Sequence, residues 1–230
     1  MSSTAAIGDN RKPLVIFGTS EIAQIAKFYF ETDFAKNVKG FILDDEFVTV
    51  PTFDGCPVIA SSRVTQLFPP DEYDMFIAVS YREMNRVRSA KCEWARSLGY
   101  QLSSYISPRA TTFSTFVCGD NCLILEDNTI QPFATIGSNV FLWSGNHIGH
   151  HSVIQDDVFI SSHVVVSGGV RIGRGSFVGV NATIRDHVTI GDWVLIGAGA
   201  IILSDVPDEG IVGATATPLH KLKSSQIRKI

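Results

Sequence analysis

Five of the six histidines in this 230-residue chain fall between positions 147 and 187: His147, His150, His151, His163 and His187. The densest stretch runs Trp143-Ser-Gly-Asn-His-Ile-Gly-His-His-Ser152, which crowds Asn146, His147, His150 and His151 together. An imidazole with its ordinary pKa of about 6.5 can take a proton from an attacking ammonium or hydroxyl at neutral pH. Eighteen residues beyond His150 comes Gly168, followed by Gly169. A glycine pair leaves backbone N–H groups uncovered. An amide beside an imidazole supplies a base together with a donor for a developing oxyanion, which is what acyl transfer from a thioester needs. The spacing carries that meaning only if the chain returns upon itself every eighteen residues.

The hydrophobic pattern predicts that it does. Every sixth residue from Ile124 through Ile130, Ile136, Leu142, Ile148 and Ile154 to Ile202 is Ile, Leu or Val, with no skipped turn. Four residues on, the position is usually small or β-branched, as at Ala134, Val140, Ser152, Val158 and Val164. A period of six fits neither a helix at 3.6 nor a strand at two; it is the signature of a left-handed parallel β-helix of hexapeptide repeats. Three repeats make one triangular coil, and coils stack at about 4.8 Å, the strand spacing of any sheet. The aliphatic residue fills the axis, and Gly137, Gly149, Gly173 and Gly191 follow it where the chain bends. Cys118 and Cys122 fall on inward columns, where thiols act as small hydrophobes. His150, two places after Ile148, falls at an outward turn.

Residues 13–106 alternate strand and helix instead. A buried strand over 14–17 precedes a helix over 22–30. Further strands are expected at 38–43, 74–79 and 101–105, with a helix across 83–97. Strands alternating with crossover helices predict a small, doubly wound α/β domain with a parallel sheet, Rossmann-like in outline. The turn after the first strand, Gly18-x-Ser20-x-x-Ala23, is a degenerate dinucleotide fingerprint. The helix start offers free N–H groups to an anion. Asp44 and Asp45 end the second strand, where a carboxylate accepts from ribose hydroxyls. The domains expected are 13–106, Rossmann-like and suited to a nucleotide-linked ligand; 107–215, β-helix; and 216–230, a C-terminal tail.

Composition bounds the rest. A net charge of −4 gives no field for gathering nucleic acid. No apolar run approaches the ~18 residues of a membrane span. The first residues lack the apolar core of a signal peptide and read as a frayed tail before Lys12. Apart from Cys118 and Cys122, the four cysteines show no ligand spacing, and a reducing, cytoplasmic setting without disulfides is expected.

With these motifs in place, the chain from about Leu14 to Lys221 resembles the bacterial nucleotide-sugar acyltransferases: the bacillosamine-pathway and perosamine N-acetyltransferases and the sialic acid O-acetyltransferases. The resemblance implies His150 as proton acceptor and Gly168 as oxyanion donor. His151 stands where the family has the acidic residue that raises the base's strength, which leaves the orienting group open. It further implies a nucleotide-sugar site at Gly18, Thr19, Ser20, Asp44, Asp45 and Ser80, to which Asn146 is added. The co-substrate acetyl-coenzyme A is expected in a groove between neighbouring β-helices, at Phe159, Val180 and Ala198. Lys221, Lys223, Arg228 and Lys229 of the tail would meet its phosphates or lie solvated. The activity expected is acetyl-CoA-dependent N-acetylation of a nucleotide-linked amino-deoxy sugar in surface polysaccharide biosynthesis, with O-acetylation as the alternative. Because both grooves need a second wall and three triangular prisms close without open edges, a homotrimer is expected. Two other classes share the architecture: a γ-type carbonic anhydrase, for which Gly169 interrupts the histidine column between His151 and His187, and a non-catalytic sugar-binding scaffold.

Overall fold

The computed structural model describes residues 12–114, 116–216 and 225. The residues before Lys12 and the tail expected over 216–230, apart from Ala216 and Ser225, lie outside the described residues, as do Lys221, Lys223, Arg228 and Lys229.

Strand β1 (Leu14–Phe17) is apolar throughout and buried on both faces, as a central parallel strand should be. Gly18 follows with φ +118°, and a Cβ there would lie 2.8 Å from the Ala78 carbonyl oxygen, so the turn requires glycine. Helix α1 (Glu21–Phe34) buries Ile22, Ala23, Ala26 and Phe30 and ends at Ala35 in the left-handed conformation. It runs a turn beyond the expected end, because residues 31–34 contain no breaker and Phe34 packs against Tyr105. Next come β2 (Val38–Leu43), β3 (Thr52–Phe53), β4 (Cys56–Ala60), α2 (Val64–Leu67), β5 (Asp74–Ile77) and α3 (Arg86–Ser97). The sheet order is β3-β4-β2-β1-β5, parallel except for the β3–β4 hairpin. That hairpin was not expected, although its Asp54-Gly55 turn, with φ of 45° and 79°, is a strong local signal for one. The strand expected over 101–105 is not a sixth member of this sheet. Leu102 makes a single bridge to Met75, and β6 (Tyr105–Ile106) pairs with Leu123 and Ile124 in the second body.

That second body is the left-handed β-helix. Its strands are two residues long and recur every six as far as Ile202, and they pair at a spacing of eighteen residues, for example Phe141↔Phe159 and His147↔Val165, until the last coil shortens it to sixteen at Leu195↔Ile211. They form three parallel sheets of five, seven and five strands. The column from Ile124 to Ile202 is buried at every step, as is the second column of Ala, Val and Ser. The turns take up positive φ at Asn139, His151, Asp157, His163, Asn181 and His187. Gly137, Gly149, Gly173 and Gly191 do not: a Cβ on any of them would approach the next coil within 2.3–2.5 Å, so close stacking selects glycine.

The outward residues of the seven-stranded sheet include Leu123, Phe141, Phe159 and Phe177, and the α/β domain packs on them. Phe76 stacks on Phe141 at 5.8 Å, and Tyr81 meets Phe159 at 5.1 Å and Phe177 at 4.9 Å. Arg88 of α3 is fully buried between the two bodies. It donates to Asn139, Asn85 and the carbonyls of Ser80 and Asp157, and its guanidinium lies 4.3 Å from the Phe141 ring centroid. Burial pushes its pKa down to about 10, so it remains a cation at neutral pH. Removing it would leave buried acceptors unpaired, each at a cost of about 1–3 kcal/mol.

Candidate active site

His150 projects from the corner that follows the strand His147–Ile148. Its backbone is fixed on both sides: its N–H donates to Gln131 Oε1 at 2.9 Å, and its carbonyl accepts from the Gly169 N–H at 2.8 Å. The exposed imidazole lies over Gly168. A Cβ on Gly168 would sit 2.6 Å from His150 Cε1 and 2.7 Å from Nε2, so only glycine admits the ring there. The Gly168 carbonyl accepts from the His187 N–H, while its own N–H has no acceptor among the described residues. The predicted base and the predicted amide donor are therefore together. His151 has φ 59°, its Nδ1 is 3.2 Å from His150 Nδ1, and its ring rests 4.8 Å from that of Phe133.

A cleft of about 580 Å³ opens where the α/β sheet meets the β-helix, lined by Thr19, Ser20, Phe53, Ser80, Tyr81 and Trp143 among others. It lies at the carboxyl end of β1 and β5, where strand order reverses and open α/β sheets bind ligands. Ser20 is the N-cap of α1 and makes no side-chain capping bond, so the first-turn amides face the cleft uncapped.

Residues 133–168, 151–186 and 169–204 match the family described as bacterial transferase hexapeptide (six repeats). Among solved structures, the acetyltransferase domain of PglB from Neisseria gonorrhoeae is 26% identical, with a TM-score of 0.79 over 91% of this chain and 100% of that one. The chain is an acyltransferase that carries this repeat. Two further structures share the fold. A histidine-to-asparagine variant of perosamine N-acetyltransferase from Caulobacter crescentus, in complex with CoA and GDP-perosamine, is 23% identical, with a TM-score of 0.79 over 92% of this chain and 96% of that one. WeeI from Acinetobacter baumannii is 20% identical, with a TM-score of 0.71 over 88% and 97%. No curated protein matches the acyltransferase in sequence.

Three expected site residues of the acyltransferase have other duties. Phe159 is 3% exposed, clamped among Phe141, Phe177 and Tyr81 beneath the α/β domain, so it cannot line a coenzyme groove. Asn146 is 1% exposed: its amide donates to the Trp143 carbonyl and its Oδ1 accepts from the Val164 N–H, which commits it to stacking of coils and not to substrate. Asp45 accepts from the Ser61 and Ser62 hydroxyls and the Ser62 N–H, bonds that hold its carboxyl below the usual value. It therefore ties down the turn after β4. Asp44 is paired with Lys91 Nζ at 2.6 Å, and Lys91 also lies over the Phe17 ring at 5.1 Å. Val180 and Ala198 are exposed, one coil apart, on the corner that follows the seven-stranded sheet.

Of the other described histidines, His147 is a strand residue, whereas His163 and His187 are turn residues. The ring of His163 covers Gly145 and that of His187 covers Gly169. Among the described residues, no group of three His, Cys, Asp or Glu is placed to hold a metal ion, and no helix is long and apolar enough to cross a membrane. Sequence reasoning passed over Phe53, Tyr81, Trp143 and Lys91. Trp143 stood in the histidine-bearing stretch itself, and Phe53 would have followed from the Asp54-Gly55 turn.

Proposed function

We propose that the acyltransferase moves an acetyl group from acetyl-coenzyme A to the amino group of a nucleotide-linked amino-deoxy sugar, with His150 as general base. The observation that carries this reading is the His150 imidazole resting over Gly168, whose N–H lacks an acceptor among the described residues. The sugar nitrogen attacks the thioester carbonyl carbon and gives a proton to His150 Nε2. The carbonyl oxygen becomes an oxyanion that receives a hydrogen bond from the Gly168 N–H. Collapse of the intermediate breaks the C–S bond, and the departing thiolate takes the proton back. The nucleotide's phosphates go to the uncapped start of α1 at Thr19 and Ser20, with Gly18 giving the backbone room and Asp44 and Ser80 at the rim. The bound sugars and coenzyme of the similar structures support that choice of substrates.

The cleft opens at one corner of the prism, beside Trp143, and His150 stands at the next. The sheet between these corners carries Val165 and Ile201, 40% and 69% exposed. This supports a homotrimer in which one subunit's cleft, with Val180 and Ala198 along the coenzyme groove, faces His150 of a neighbour.

The test is thiol release from acetyl-coenzyme A with a panel of nucleotide-linked amino sugars. His150→Ala is expected to lower turnover roughly 10²–10⁴-fold with the fold intact, since His150 is exposed and its loss opens no cavity. Near-normal turnover in that variant would remove the reading. Product that survives hydroxylamine is an amide; product that does not is an ester, and would assign O-transfer.

A further inference from the structure

His150 and His151 approach each other nitrogen to nitrogen, Nδ1 to Nδ1, at 3.2 Å. Neither bare nitrogen can face the other stably, so one proton lies between them, and two arrangements are open to a neutral pair. In one, His150 Nδ1–H donates to His151 Nδ1, His151 carries its own proton on Nε2, and His150 Nε2 is bare. In the other, His151 donates, His150 carries its proton on Nε2, and the base is blocked. The surroundings of the two rings differ in a way that chooses between them. The Cε1–Nε2 edge of His150 rests on Gly168, and among the described residues no acceptor is bonded to its Nε2. His151 is exposed, so an N–H on its Nε2 projects into solvent. Its ring is also held, by the Phe133 ring at 4.8 Å and by a left-handed backbone at φ 59° that directs it toward His150.

We propose that His151 is a positioning residue: its Nδ1 accepts the Nδ1–H of His150 and so keeps His150 in the tautomer whose bare Nε2 faces the reacting amine. This rests on His150 being the base. It differs from a carboxylate at the same place. The partner is an imidazole and not a carboxylate, so when His150 takes the substrate's proton, the partner supplies no negative charge to offset it. The orientation of the ring, and not a compensating charge, is what His151 supplies.

The decisive measurement is ¹⁵N NMR of histidine-labelled protein, in which ring nitrogen shifts and couplings distinguish the two tautomers. In the native protein His150 is expected as the Nδ1–H form and His151 as the Nε2–H form. His151→Gly is the matching variant: glycine accepts the positive φ, and Gly169 already occupies the equivalent turn of the next coil at φ +68°. There His150 should revert to the Nε2–H form usual in water. Turnover should fall roughly 10–100-fold, less than for His150→Ala, with both Michaelis constants unchanged. His151→Glu, which accepts the same Nδ1–H, should recover most of the loss. An Nε2–H His150 in the native protein overturns the proposal, as does His151→Gly with full turnover, or a His151→Glu no better than His151→Gly. A His150→Ala protein that still turns over would sink the base assignment itself, a separate outcome.

Discussion

Gly168→Ala adds one methyl group and tests the base without touching it. That Cβ would stand 2.6 Å from His150 Cε1, 2.7 Å from Nε2 and 3.1 Å from Nδ1. Carbon atoms in ordinary contact are about 3.5–4.0 Å apart, so the ring must withdraw by about 1 Å or swing away. A misplacement of about 1 Å in a reacting group costs about 10²-fold, which corresponds to about 2.7 kcal/mol of barrier. Gly168 is not among the glycines with positive φ, so alanine is tolerated by the backbone and its amide N–H remains. The expected result in the thiol-release assay is a turnover about 10²-fold lower, with thermal melting and both Michaelis constants close to native. Because the loss acts through His150, the double variant His150→Ala/Gly168→Ala should be no slower than His150→Ala alone. Native turnover in folded Gly168→Ala would refute the placement of the ring. Losses that multiply in the double variant would mean Gly168 acts independently of His150.

Other parts of the molecule give sharper readings by their contrast. Phe159→Ala should cost about 3–5 kcal/mol of stability in denaturant titration and leave the acetyl-coenzyme A Michaelis constant alone; the reverse would return Phe159 to the coenzyme groove. Asp44→Ala should raise the Michaelis constant for the nucleotide sugar, whereas Asp45→Ala should loosen the Ser61-Ser62 turn with little kinetic effect, and equal kinetic losses would undo that division. Burial raises the Glu126 carboxyl, but hydrogen bonds from Tyr29 at 2.6 Å and Ser144 at 2.7 Å prevail and hold it below its usual value. Its contribution to stability is therefore present above the unfolded value near 4.5 and fades as pH falls through the lower folded one. Native protein should lose more stability between neutral and strongly acid pH than Glu126→Gln, and parallel pH curves would count against the bond. Nucleotide sugar should quench the fluorescence of Trp143 in the cleft wall, and a quench unchanged in Trp143→Phe would place the ligand elsewhere.

The β-helix was legible because its order is one-dimensional. Once the six-residue period is known, arithmetic modulo eighteen puts every residue on a face, and it placed His150 over Gly168 correctly. Periodicity does not say which of the three outward faces another body will cover, and this is why Phe159 was read as groove. The clue was present as Phe141, Phe159 and Phe177, three aromatic side chains at one coil spacing on an outward column. Asn146 departs from its expected role for a related reason: a polar residue at a corner can turn inward to the backbone, as its bonds to the Trp143 carbonyl and from the Val164 N–H show. In the α/β domain the first strand, its glycine turn and the following helix were set by local pattern. The duties of Asp44 and Asp45 were not, since they depend on Lys91 and on Ser61 and Ser62, which reach them only through tertiary packing.

The triangular stacking also fixes how such a chain can change length. Removing eighteen residues from the prism deletes a storey and leaves everything below it facing as before. Removing six turns the whole lower portion by a third of a revolution. A six-residue deletion between Phe141 and His150 would carry the imidazole, its glycine perch and every later coil to a different edge, and would move Phe159 and Phe177 out from under Tyr81. The α/β domain would then overhang whatever residues rotated into their place. Lineages of this protein should therefore tolerate gain or loss of a whole coil better than of a single repeat, and indels of one or two repeats should be confined to loops that leave the prism and return at the same vertex.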